Sequence, residues 1–201
     1  YFPYWTHAPY EHPFKSSRGL NSLERYYQAQ EYMNESMANF LQMLEKENIS
    51  DETIIIITSD HGEAFGRKVG NYIHPNYLYD ENLKVPFLIY IKGITDKSPK
   101  VINNPVTTFD LAPTISDLTG INRMPSWQGN NMFEGKAAPV LIYTRAMELQ
   151  SGILDGNYKY FFNHVTGQEY FFDLKNDPRE ERNIGDDFKG KEILLFKNKL
   201  H

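Results

Sequence analysis

Residues 53–63 read TIIIITSDHGE, a run of four isoleucines flanked by threonines and followed by a polar turn. An uninterrupted β-branched run is typical of a strand that is covered on both faces. Ligands of open α/β sheets bind outside the carboxyl ends of the strands, so the polar residues after this run are candidate functional residues. The run therefore predicts an α/β fold with a ligand site where the strand ends.

A long amphipathic helix is predicted before this strand. Between Asn21 and about Asn48, apolar residues recur at spacings of three, four and seven, which places them on one helical face. Asn21 followed three residues later by Glu24 is a start signal for a helix. We expect the methionine and aromatic stripe of this helix to pack in the core rather than to form a ligand groove.

Two further elements complete the predicted α/β part. Residues 85–91 form a second apolar run, which predicts another buried strand with Pro86 near its start. A short helix is expected after it, with Asp110 as its cap, Pro113 in its first turn and Gly120 at its end. The expected architecture is a buried, mostly parallel or mixed sheet with flanking helices.

The carboxy-terminal third of the sequence has a different character. Short apolar and aromatic strands are predicted there, separated by hairpin signals at residues 155–157 and 166–167, and a closing helix is expected from about Phe188. The predicted strands cover residues 139–144, 152–154, 158–162 and 169–174. We therefore predict an α/β part over residues 1–124 and an antiparallel subdomain with a closing helix over residues 125–201.

The composition argues against several functional classes. The formal net charge is −5 and no basic run is longer than a pair, which argues against a nucleic-acid partner. The sequence has no cysteine, which excludes disulfides, thiolate metal sites and a cysteine nucleophile. Because the sequence opens without Met, in what reads as the middle of a fold, we expect a fragment, and the localisation is left unknown.

Three histidines and one aspartate are the candidate site residues. Asp60 and His61 offer one carboxylate oxygen and one imidazole nitrogen, and Gly62 lets the chain turn so that both converge on one ion. His74 and His7 also lie beside turn residues. Taken singly, each has a structural alternative, with Asp60 as a helix cap and the histidines as ordinary turn or surface residues. Together they favour a site.

Six segments carry a resemblance to a known family. In order along the chain they read THAPY (6–10), TSDHGE (58–63), YDENLKVPF (79–87), DLAPT (110–114), LDGNYKY (154–160) and FDLKNDPREERN (172–183). This order resembles that of the sulfatase family of the alkaline-phosphatase-like superfamily, over nearly the whole chain. The combination of the aspartate-histidine turn, the valine-proline strand and the aspartate-proline tail is specific, whereas each alone is a weak signal.

The resemblance implies roles for the four candidate residues. Asp60 and His61 match the late pair of metal ligands, and His7 matches the histidine that contacts the sulfate or phosphate group. His74 resembles the histidine that reaches the transferred group or the leaving oxygen in phosphoryl-transferring relatives. The implied activity is metal-dependent hydrolysis of sulfate or phosphate esters of small molecules. The implied ion is a divalent metal, and calcium, manganese and zinc all stay open. Whether a fragment alone would retain the ion also stays open.

The sequence departs from the family pattern at the nucleophile and at residue 75. Family members carry their nucleophile in an amino-terminal half, and this chain has neither a cysteine nor a Ser-x-Pro-x-Arg motif. We therefore expect the nucleophile-bearing half to be a missing partner and the chain alone to be inactive. Many sulfatases have a lysine where this chain has Pro75, four positions before Tyr79. Residues 72–74 instead resemble phosphoethanolamine transferases.

Three interpretations follow from these residues. The first is the carboxy-terminal part of a metal-dependent sulfatase-like hydrolase. The second is the matching part of a phosphoethanolamine or phosphoglycerol transferase, and the third is a non-catalytic binding module. The enzymatic interpretations predict that His7, Asp60, His61 and His74 gather in one cleft. By resemblance alone they also favour an exported, periplasmic or membrane-associated protein.

Overall fold

The fold is described from a computed structural model of the chain. The structure describes residues 4–74, 76–135, 138–185 and 191–200. It contains two compact units, one formed by Tyr1–Thr58 and Phe87–Pro99 and the other by Ser59–Pro86 and Lys100–His201. The domain boundary expected after residue 124 stays a prediction.

The long helix of the first unit, α1 (Ser22–Lys46), confirms the helix predicted from residue 21. The Asn21 side chain accepts a hydrogen bond from the Glu24 N–H, and the Glu24 carboxylate accepts one from the Asn21 N–H. These two bonds satisfy N–H groups that a helix start leaves without partners. The expected core stripe is only partly buried, since Leu44 is 5% exposed whereas Leu41 is 37% exposed.

The isoleucine run forms the strand β1 (Ile54–Thr58), which pairs with β2 (Phe87–Ile91). The α/β class is confirmed, but this two-stranded sheet is antiparallel, and Ile56 lies opposite Ile89. The residues of β1 are half-buried rather than enclosed on both faces. A β-branched run specifies a strand and carries no information on the direction of its partner, so the sequence expectation of a mostly parallel or mixed sheet did not specify this antiparallel pair.

The second unit contains a four-stranded antiparallel sheet, as predicted for the carboxy-terminal part. Its strands, in sheet order, are β3 (Val140–Arg145), β4 (Leu149–Asp155), β5 (Tyr158–Asn163) and β6 (Glu169–Asp173). Each strand pairs with the next one along the chain. Gly156, at φ 59°, closes the turn between β4 and β5 in a conformation that favours glycine.

Among the described residues of the second unit, three α-helices accompany this sheet. They are α2 (Asp80–Leu83), α3 (Leu111–Thr119) and α4 (Lys191–Leu200). Asp110 immediately precedes α3 and Gly120 ends it in the left-handed conformation, as expected. The closing helix is confirmed from Lys191, while Phe188 lies outside the described residues. No helix in the described ranges is both long and apolar enough to cross a bilayer.

The core of the second unit lies against the aromatic residues of β5 and β6. Leu78, Tyr79, Phe161, Tyr170 and Phe172 form one buried cluster. The Tyr79 ring meets the Phe161 ring edge-on, with 5.4 Å between ring centroids. Burial raises the pKa of the Tyr79 hydroxyl. The sheet thus anchors the short segment that leads directly into α2.

Candidate functional site

The turn at Asp60, His61 and Gly62 packs directly on α2. The Gly62 N–H donates to the backbone oxygen of Asn82 over 2.8 Å. A Cβ atom at position 62 would lie 2.2 Å from the backbone oxygen of Glu81, closer than any side chain tolerates. Only glycine fits this approach, so the contact with α2 requires glycine at position 62.

The hydrogen bonds of His61 leave one ring nitrogen available as a metal ligand. Its Nδ1 lies 2.7 Å from the Gly62 carbonyl oxygen. A carbonyl oxygen only accepts, so we assign the proton to Nδ1 and the lone pair to Nε2. His61 Nε2 lies 3.7 Å from Asp60 Oδ1. Two donors at about 2.1 Å from one ion can be that far apart, so this pair fits a shared divalent cation.

His74 lies against His61, and Glu63 holds it there. The two imidazole rings stack with 3.3 Å between their centroids and 21° between their planes. His74 Nδ1 lies 3.3 Å from one Glu63 carboxylate oxygen and 3.4 Å from the other. The Glu63 carboxylate also accepts the His74 backbone N–H over 3.1 Å. The carboxylate therefore fixes the ring, and the nitrogen that Glu63 does not engage is Nε2.

These side chains line one cavity of the second unit, with a volume of about 210 Å³. The lining combines acidic, imidazole, aromatic and amide groups with two leucines, from Asp60, His61, His74, Tyr77, Leu78, Asn82, Leu83, Tyr143 and Thr144. A water molecule occupies roughly 30 Å³ in the liquid. The cavity therefore has room for an ion, a small tetrahedral anion and a few waters, and is smaller than the roughly 300–1,000 Å³ of drug-sized pockets.

Three of the four predicted site residues thus share this cavity, namely Asp60, His61 and His74. His7 lies in the first unit, where its ring stacks on Tyr4 at 4.7 Å and its Nδ1 contacts the Ala8 carbonyl oxygen at 2.7 Å. Its convergence with the other three stays a prediction. Within the described ranges, no group of three or more His, Cys, Asp or Glu residues is arranged to hold a metal by itself.

Sequence reasoning missed the supporting residues of this cavity. Glu63 stood in the quoted motif without a role, and Tyr143 and Thr144 come from β3, far along the chain. A position three residues after Asp60 gives a weak hint that Glu63 is near the site. No local signal could have found the β3 residues, because only the tertiary fold brings them to the cavity.

Comparison with known proteins identifies the family of this chain. The family model described as Sulfatase matches residues 2–121, which is more than half of the chain. The chain belongs to the sulfatase family. The ulvan-active sulfatase of Formosa agariphila is 25% identical over 185 residues, covering 86% of this chain and 36% of that protein. The matched residues contain four of the six segments quoted from the sequence in full, including the one with Asp60 and His61.

Two further relatives show the breadth of this likeness. The lipoteichoic acid synthase-like protein YvgJ of Bacillus subtilis is 26% identical over 201 residues, covering 91% of this chain and 31% of that protein. The solved structure of the 2-O GAG sulfatase BT1596 has a TM-score of 0.75 at 23% identity, covering 89% of this chain and 42% of that one. The structural likeness shows the alkaline-phosphatase-like fold. The chain spans about a third of the length of the curated relatives it matches.

Proposed function

We propose that this chain is the carboxy-terminal part of a metal-dependent sulfatase-like hydrolase that cleaves sulfate or phosphate esters of small molecules. The observation that carries the proposal is the grouping of Asp60, His61 and His74 on one cavity, in a chain of the sulfatase family. The nucleophile is supplied by an amino-terminal half of the same enzyme. The 201 residues alone are then expected to have no esterase activity.

Asp60 and His61 are the proposed metal ligands of this chain. When bound, a divalent cation supplies positive charge that stabilises the oxygens of the ester group. Asp60 offers Oδ1 and His61 offers Nε2, which the bond from Nδ1 to the Gly62 carbonyl directs away from the backbone. A carboxylate with an imidazole suits manganese or zinc better than calcium, and the remaining ligands belong to the amino-terminal half.

His74 is the proposed proton donor to the leaving oxygen. Glu63 accepts from its Nδ1 side and so presents Nε2 as the nitrogen that exchanges a proton with the substrate. His7 is the proposed donor to a non-bridging oxygen of the ester. Removing the His74 ring should slow esters with poor leaving groups more than esters with good ones.

The test uses the protein extended by its upstream coding sequence. In that protein, Asp60→Ala is expected to lower kcat/KM for an aryl sulfate or aryl phosphate by orders of magnitude, together with the bound metal content. Asp96→Ala is the matched control, because Asp96 is an exposed aspartate outside the cavity. Unchanged turnover and metal content in Asp60→Ala would contradict the ligand assignment.

The match to the lipoteichoic acid synthase-like protein favours a second candidate, a phosphoglycerol or phosphoethanolamine transferase. The sequence of residues 72–74 points the same way. An upstream threonine nucleophile preceded by transmembrane helices, with head-group transfer from a phospholipid, would favour the transferase. An upstream Cys or Ser followed by x-Pro-x-Arg, with release of inorganic sulfate, would favour the hydrolase. Absence of both activities and of metal binding would favour a non-catalytic module.

A further inference from the structure

A buried ion cluster lies at the start of α2, in the same unit as the cavity. Lys159, on β5, is 1% exposed, and its Nζ lies 2.5 Å from Asp80 Oδ1 and in direct contact with Glu180 Oε1. Glu180 itself is 2% exposed. Burial raises the pKa of the Glu180 carboxyl, and the Lys159 ammonium opposes that rise. A buried charge is stable in a protein when it is paired with an opposite charge. Here the Lys159 ammonium pairs with the carboxylates of both Asp80 and Glu180.

The Glu180 carboxylate also caps the amino-terminal end of the short helix α2, although Glu180 is not part of that helix. The Asp80 N–H, in the first turn of α2, donates to Glu180 Oε2 over 2.8 Å. Tyr79, which precedes the helix, provides no side-chain cap. The first N–H groups of a helix have no partner within the helix, so a carboxylate from another segment stabilises this end. The start of α2 is therefore fixed by a residue one hundred positions later in the sequence.

The backbone at Glu180 is in an unfavourable conformation for a glutamate. Its φ of 54° lies in the left-handed region, which glycine and asparagine adopt more readily. Lys68 donates to the Glu180 carbonyl oxygen, and the Glu180 N–H donates to Asp177 over 3.1 Å. Strained backbone persists where the surroundings determine it, and it often marks functional positions. Glycine at this position would have no carboxylate to accept the Asp80 N–H or to pair with Lys159.

The position of α2 in turn sets the position of the cavity residues. Asn82 accepts the Gly62 N–H with its backbone oxygen, and its side chain exchanges two hydrogen bonds with Asn71, at 2.9 and 3.1 Å. Asn82 also donates to the Tyr77 carbonyl oxygen over 2.8 Å. A shift of α2 would therefore move Gly62, and with it Asp60 and His61, and would also move the cavity wall at Asn82.

We propose that Glu180 and Lys159 are positioning residues of the site, which hold the turn at Asp60 and His61 in place through α2. Glu180 and Lys159 both contact Asp80 at the start of α2. Asn82, at the other end of α2, accepts the N–H of Gly62 in the site turn. The consequence for metal binding rests on the proposed function, whereas the consequence for the geometry of the turn does not. Neither residue lines the cavity, so neither is a catalytic residue.

The first experiment measures the turn itself. In the protein with its upstream sequence, Glu180→Ala is expected to speed deuterium exchange of backbone amides in peptides covering residues 60–65 and 79–84. Glu180→Gln keeps an acceptor for the Asp80 N–H and should restore part of the protection. Glu181→Ala is the matched control, because Glu181 is exposed and bonds to Asp177 only through its backbone N–H. Equal exchange in Glu180→Ala and in the wild type would overturn the proposal.

The second experiment separates positioning from stability. The double variant Lys159→Met with Glu180→Leu replaces the buried pair by apolar side chains, which often preserves stability. We expect it to unfold within a few degrees of the wild type and yet to bind Mn²⁺ about tenfold more weakly by calorimetry, as lost outer support of a site does. If the double variant unfolds much earlier, the single variant Glu180→Gln serves for the same calorimetry.

The outcomes distinguish the two proposals. Wild-type exchange at residues 60–65 in Glu180→Ala, or wild-type affinity for Mn²⁺ in a stable double variant, would overturn the positioning role and leave the function standing. A wild-type protein that binds none of Mn²⁺, Zn²⁺ and Ca²⁺ would contradict the proposed function. In that case, the rate of deuterium exchange in residues 60–65 would still decide whether Glu180 and Lys159 position the turn.

Discussion

The two sheets of the chain differ in the relation between sequence and burial. The sheet of β1 and β2 contains the most continuous apolar run of the sequence, and the residues of β1 are only half-buried. The sheet formed by β3 to β6 contains the fully buried Phe161 and also the buried ammonium of Lys159. Apolar content alone therefore does not locate the core, and the sheet that supports the site carries a buried charge.

The largest expected effect tests which sheet holds the core. Phe161→Ala should lower the free energy of unfolding by about 3–5 kcal/mol, because Phe161 is fully enclosed in the aromatic cluster. Ile56→Ala should cost about 1–2 kcal/mol, because a half-buried side chain loses less contact. Denaturant unfolding of the chain measures both. Equal losses of unfolding free energy in the two variants would contradict the difference in burial between the two sheets.

The next effect concerns the approach of the site turn to α2. Gly62→Ala should cost about 2–4 kcal/mol, since its Cβ would collide with backbone that cannot move without breaking α2. Gly156→Ala is the control, with open space around its Cβ, and should cost about 1–2 kcal/mol for the left-handed conformation. Thermal unfolding of the two variants gives the ranking, and a smaller loss in Gly62→Ala would contradict the tight contact.

The smallest effect is a pH dependence at the surface of the second unit. Hydrogen bonds from Arg123 and then from Asn131 lower the pKa of Asp117 to about 2. A carboxyl whose pKa is lower in the folded chain than in the unfolded chain stabilises the fold at higher pH. This contribution is complete above the unfolded pKa near 4 and is lost as the pH falls towards 2.

The measurement for this pair is the unfolding free energy of the wild type and of Asp117→Asn between pH 5 and pH 2. The wild type should be the more stable protein at pH 5, and the difference should shrink as the pH falls, because protonation removes the charge of Asp117. A difference that stays constant over this range would show that the ion pair does not contribute.

Much of the fold could be predicted from local patterns. Asn21 and Glu24 marked the start of α1, Gly120 marked the end of α3, and the hairpin signals marked the meander of β3 to β6. These features depend on residues a few positions apart, which the sequence displays directly. The antiparallel pairing of β1 with β2 depends on the path of the intervening chain, so the isoleucine run could not reveal it.

The candidate site was predictable only in part, for the same reason. Asp60 and His61 are neighbours, so residue types and the following glycine could predict that both side chains face one cavity, whereas their binding of an ion stays a prediction. Lys159 and Glu180 lie 79 and 100 positions from their shared partner Asp80, and no pattern connects residues at that separation. Their support of the site became visible only in the folded chain.

A crystal structure of the protein with its upstream sequence and Mn²⁺, recorded at the manganese absorption edge, tests the proposed ligand pair directly. We expect an anomalous peak at about 2.0–2.2 Å from both Asp60 Oδ1 and His61 Nε2. A manganese peak elsewhere, with Asp60 and His61 bonded only to protein or solvent, would contradict the claim that these two neighbours jointly hold the cation.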